Sequence, residues 1–116
     1  MLKSCACVVY VVKDLAKSRA WYEKNLGGQV VEDMPGWVGI KLESGQFIGL
    51  TNNLRGQAAP AVCPFYRVDD LAAELKRLTT AGAKTVMPTE DVGNVLIAVV
   101  QTPDGVPLGL QQHKAG

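Results

Sequence analysis

The chain switches between strand-type and helix-type spacing in a fixed order, and it does so twice. An apolar, β-branched run opens each half, CACVVYVV at 5–12 and AVCPFYRV at 61–68. Such runs predict strands. An aspartate follows each, Asp14 and Asp70, where its side chain can accept from free amides in the first turn of a helix. Helical spacing then takes over. Leu15, Tyr22 and Leu26 share one face of the first helix with Trp21 beside them, and Leu71, Leu75 and Leu78 share one face of the second. Trp21 and Tyr22 are expected to pack on the outer side of the sheet. Glycines close both helices, Gly27-Gly28 and Gly82, as helix C-terminal glycines do. Three strand segments complete each half. They are QVVED, GWVGIKLE and QFIGLT in the first, and KTVMP, NVLIAVVQT and PLGLQQ in the second. The turns ESGQ and TPDG between the last two segments predict tight hairpins. The predicted order is βαβββ, twice.

The two halves also share letters. Between CVVYVVKDLA at 7–16 and CPFYRVDDLA at 63–72, six of ten positions are identical at an offset of 56. Chance gives about one such identity or fewer in a window of that length. SGQFIGL at 44–50 matches DGVPLGL at 104–110 through Gly45/Gly105, Gly49/Gly109 and Leu50/Leu110. We therefore divide the chain into a module over 1–54, a linker over 55–59 and a module over 60–116. The linker opens the stretch RGQAAP, whose glycine and proline punctuate the chain.

Composition narrows the function classes. The chain has 116 residues, enough for one core, and 47% are apolar. Net charge is +1, with acids and bases scattered. No basic stripe is present to neutralise phosphates, so nucleic acid is not an expected partner. The apolar runs are too short to span a bilayer. No signal-peptide pattern appears, so the expected location is the cytoplasm. Three cysteines, Cys5, Cys7 and Cys63, are an odd count and argue against a disulfide framework.

The phrases VVKDLAKSRAWYEKNLGG, YRVDDLAAELKRLTTAGAK and TPDGVPLGLQQ resemble, in order and spacing, the vicinal oxygen chelate superfamily, also called the glyoxalase/bleomycin-resistance/dioxygenase family. The resemblance covers nearly the whole chain. It implies an α+β fold, with two βαβββ modules forming a curved mixed sheet around a central cavity and helices on the outer face. It also implies a homodimer, in some members with modules exchanged between chains. The family holds metal-dependent lyases, epimerases, thiol transferases and dioxygenases, together with metal-free proteins that sequester drugs.

The resemblance places the usual metal ligands, His or Gln on each first strand and Glu on each last strand, at Cys7, Gly49, Cys63 and Gly109. All four depart from that pattern. Glycine offers no side-chain ligand, and catalytic sites of this kind want imidazole and carboxylate. The one histidine, His113, lies past the last predicted strand and reads as a tail residue. We therefore expect no metal and no cofactor. The cysteines keep three readings: small apolar wall residues, a soft metal site, or a reactive thiolate, which needs a cationic neighbour. The glycines read as an opening of volume where the metal would sit, or as a bulge or close backbone approach.

Strand alternation nominates the inward side chains. Cys63, Phe65 and Arg67 share one face of their strand. Phe47, Gly49 and Thr51 share another, as do Gly109, Gln111 and His113. Trp37 and Lys41 are added from the third strand. The expected ligand-binding set is Cys7, Trp37, Phe47, Gly49, Cys63, Phe65, Arg67, Gly109 and Gln111. It describes an apolar, aromatic site with a few polar anchors. The expected function is metal-free binding of a small apolar or aromatic molecule, such as an antibiotic, with no catalytic residues assigned. The competing expectation is a lyase, isomerase or thiol-dependent enzyme using atypical cysteine ligands or a soft metal.

Overall fold

A computed structural model of the chain describes residues 1–114. The elements in order are β1 (Cys5–Val11), α1 (Leu15–Asn25), β2 (Gly28–Met34), β3 (Trp37–Leu42), β4 (Phe47–Thr51), β5 (Ala61–Arg67), α2 (Leu71–Thr80), β6 (Lys84–Asp91), β7 (Val95–Gln101) and β8 (Pro107–His113). The fold is α+β. It divides into two compact units, one spanning Cys7–Cys63, the other joining Met1–Ala6 to the chain from Pro64 onward.

In the first unit the strands lie in the order β2-β3-β4-β1. β1 runs parallel to β4, and the other pairs are antiparallel. The parallel pairing requires a crossover, and α1 with its hairpin supplies it. Asp14 caps α1 by accepting from the Lys17 amide at 3.1 Å. Past its end, Gly27 adopts φ 70°, a conformation open to glycine. The buried side chains Val38, Ile40, Ile48 and Leu50 form the core, with Leu15 and Tyr22 of α1 packed against them. Ile40 and Leu50 are fully buried, and each such side chain stabilises the fold by about 1.5–3 kcal/mol. Tyr22 packs on the sheet as expected. Trp21 does not: it is 57% exposed, and its ring lies edge-on to that of Tyr22, centroids 5.3 Å apart. The two residues are adjacent on the helix, and the 100° step between neighbours carries Trp21 off the packed face.

The second unit repeats the element order, with strands arranged β5-β8-β7-β6 and β5 parallel to β8. Asp70 caps α2 through the Ala73 amide at 3.1 Å. Val68, Leu71, Ala98 and Leu110 form its core, and Leu75 and Leu78 pack on it. The N-terminal segment runs beside the end of β5: Lys3 N–H donates to the Arg67 carbonyl at 2.8 Å, and Arg67 N–H to that of Ser4 at 2.9 Å. β6 is longer than its predicted segment. It continues past Pro88 to Asp91 with register shifts between Thr85 and Met87 and between Met87 and Glu90, as an outer strand can when it contains proline. β8 runs through His113, so His113 is a strand residue rather than part of a tail. Among the described residues no helix is long and apolar enough to cross a membrane.

Candidate functional site

The side chains opposite each helix form the candidate site, and the strand register sets their rows. In the first unit, Cys7 lies opposite Phe47, and Phe47 opposite Lys41. The next row is Val9, Gly49, Gly39 and Glu32. The third is Val11, Thr51, Trp37 and Met34. Trp37 and Lys41 thus share the Gly49 face, as expected.

Gly39 and Gly49 sit side by side, both buried, with no side chain of their own on this face. The Trp37 ring lies across Gly49: a Cβ there would stand 2.8 Å from Cζ3 and 2.9 Å from Cζ2, closer than real Cβ atoms approach. Glu32 lies across Gly39, where a Cβ would meet the Glu32 Cβ at 2.9 Å. The indole Nε1–H donates to Glu32 Oε1 at 3.0 Å. Ring and carboxylate are therefore locked together in the trough that the two glycines leave. Trp37 is half-buried and Glu32 exposed.

The second unit fills its equivalent gap from another strand. Phe65 of β5 lies opposite Gly109 of β8, followed by Val99 and Met87 across β7 and β6. A Cβ on Gly109 would stand 2.7 Å from Phe65 Cε2. The adjoining row is Arg67, Gln111, Ile97 and Glu90. Arg67 Nη2 donates to His113 Nε2 at 2.7 Å. A guanidinium only donates, so this imidazole nitrogen accepts and the proton sits on Nδ1.

The expectation that the two glycines open volume is corrected here. An aromatic ring occupies the place of each missing side chain. The close-backbone-approach reading is corrected as well, because the nearest neighbour of each glycine is a ring and not backbone.

The nine expected residues separate by burial. Gly49, Cys63, Phe65 and Gly109 are buried. Cys7, Trp37, Phe47 and Gln111 are half-buried, and Arg67 is exposed. Burial pushes the Cys63 thiol up to about 12. At neutral pH it is a thiol rather than a thiolate, which removes it as a nucleophile. Among the described residues no three of His, Cys, Asp and Glu converge as a metal-ligand group, so the three cysteines do not assemble a soft site of that kind. At the four positions the resemblance assigns to metal ligands, Cys7 and Cys63 offer thiols and Gly49 and Gly109 no side-chain donor, a set that does not fit a metal wanting imidazole and carboxylate.

Two clefts lie on the helix sides. One of about 540 Å³ runs between α1 and the β2–β3 turn, beside Leu15, Val38 and the Arg19–Asp33 ion pair at 2.8 Å. The other, of about 420 Å³, lies beside Asp70, Glu74 and Arg77. The nine sheet-face residues line neither.

Sequence reasoning missed Glu32 and misplaced His113. Regular alternation from Gln29 puts Val31 opposite Gly39 and turns Glu32 to the helix side. A bulge between Val30 and Glu32 reverses that parity. For His113 the signal existed, since it shares parity with Gly109 and Gln111.

Comparison with solved structures recovers the same fold. A methylmalonyl-CoA epimerase from Mycobacterium tuberculosis superposes with a TM-score of 0.71 at 22% identity, covering 98% of this chain and 90% of that one. An NAD-dependent benzaldehyde dehydrogenase from Legionella pneumophila gives 0.74 at 19% identity, covering 93% and 98%. A glyoxalase/bleomycin resistance protein/dioxygenase superfamily member from Vibrio splendidus 12B01 gives 0.70 at 18% identity, covering 93% and 97%. No curated protein matches the chain in sequence. A family profile matches residues 5–110, nearly the whole chain, and the chain belongs to the Glyoxalase/Bleomycin resistance protein/Dioxygenase superfamily.

Proposed function

We propose that this chain binds a small planar apolar molecule on the sheet face of its first unit, without a metal ion. The observation that carries this reading is the Trp37 ring seated on Gly49. A ring held against backbone on one side and fixed at its Nε1 edge by Glu32 is a preorganised stacking surface. Preorganisation lowers the entropic cost of binding, and planar ligands favour such surfaces. Phe47 and Cys7, both half-buried in the neighbouring row, extend the apolar area. Lys41 and Glu32, both exposed, set charges at its margin. An aromatic floor with a few polar groups at the rim is how small-molecule sites are generally built.

Thermal shift and indole fluorescence test this reading together. A Trp21→Phe variant leaves Trp37 as the sole indole, since the chain has two tryptophans. A panel of planar aromatic compounds should include members that raise the melting temperature and quench Trp37 saturably. Trp37→Leu should abolish both responses. A panel that raises the melting temperature equally in Trp37→Leu would overturn the placement.

A further inference from the structure

We infer that Arg67, His113 and Gln111 form a cradle for an oxyanion, a carboxylate or a phosphate, on the second unit's sheet face. Arg67 and His113 are exposed and Gln111 is half-buried. Arg67 and Gln111 stand opposite each other on paired strands, and His113 follows two residues along on the same face of β8. The guanidinium spends one N–H on His113 Nε2 at 2.7 Å. Among the described residues its guanidinium thus bonds an imidazole nitrogen rather than a carboxylate. The bond to His113 fixes the plane of the fork and turns the imidazole so that Nδ1–H is its remaining donor. Gln111 adds an amide donor beside them.

Three donor groups, one of them permanently charged, are thus held at neighbouring positions on adjacent strands. Guanidinium forks match the two oxygens of a carboxylate or phosphate. The two principal members are tied to each other, so little further ordering is needed when the anion arrives. The assignment stands apart from the Trp37 platform, because the two residue sets lie in different units and can be varied separately.

His113 is the only histidine in the chain, so its imidazole resonances report on the cradle without ambiguity. The full chain is titrated with acetate and with inorganic phosphate at constant ionic strength, using chloride as the control. Saturable imidazole shifts with both anions are expected for a general oxyanion cradle. Saturation with phosphate alone assigns the cradle to phosphate, and with acetate alone to carboxylate. Arg67→Gln should weaken binding by about tenfold or more, with Arg67→Lys intermediate. Both variants should keep the fold, because the contacts of Arg67 with Lys3 and Ser4 are main-chain bonds, and an unchanged melting temperature checks this. Shifts that chloride reproduces, or affinity unchanged in Arg67→Gln, would overturn the assignment.

Discussion

Trp37 and Gly49 share one space. The ring of the first occupies the volume that a side chain on the second would need. Neither strand alone imposes this. It follows from the pairing of β3 with β4, which sets Gly39 and Gly49 opposite each other and Trp37 one row away.

Gly49→Ala should therefore destabilise the fold and loosen the indole. The new methyl group meets a large ring rather than the far end of a flexible chain, so the ring must leave its seat. Overpacking of this kind costs about 1–3 kcal/mol. The urea midpoint of the variant should fall, and Trp37 emission should shift red in the Trp21→Phe background. Gly109→Ala should behave alike in stability, through Phe65. A variant as stable as the parent would show that the ring moves freely.

The cysteines should split by reactivity. Cys63 is fully buried with its thiol pushed up to about 12 by desolvation, whereas Cys5 and Cys7 are partly exposed. A thiol-specific disulfide reagent at pH 8 should label Cys5 and Cys7 in the native protein. Cys63 should react only after denaturant is added. Rapid native labelling of Cys63 in a Cys5→Ala, Cys7→Ala background would contradict its placement.

Acid should weaken the second unit through Glu74. Its side chain is 3% exposed and pairs with Arg77 and with the Met1 amino group, the latter at 2.7 Å. The hydrogen bond from Arg77, then that from the amino group, holds the carboxyl below its usual range against the opposing effect of burial. A depressed folded value means the stabilisation is complete above the unfolded value, about pH 4.3. It is lost as pH falls through the folded one. The acid limb of stability against pH should therefore be shallower in Glu74→Gln. An identical limb in the variant would remove Glu74 as its source.

Much of the fold was legible because its signals are local. Asp14 and Asp70 mark helix starts by their own chemistry, and Leu71, Leu75 and Leu78 mark a packed face by spacing alone. The Gly49 face was legible for the same reason, since β4 alternates without interruption. What escaped depends on interactions between strands. A bulge after Val30 reverses the parity of Glu32, and nothing in the letters VVED marks that extra residue. The ring above Gly49 comes from β3, whereas the ring above Gly109 comes from β5. A glycine reads the same in sequence whether it leaves a space open or filled. Trp21 was misjudged because neighbouring helical residues diverge in direction, so a Trp-Tyr pair cannot both face inward.

The seating of Trp37 on Gly49 also constrains how this chain could change by mutation. A carboxylate introduced at position 49 alone would have to displace the indole, so its first effect is loss of stability. Shrinking Trp37 alone would leave a cavity against bare backbone. Each single step passes through a less stable protein, and only the paired change restores a filled surface. The two positions are therefore expected to vary together among close relatives, as a coupled pair rather than as two independent sites.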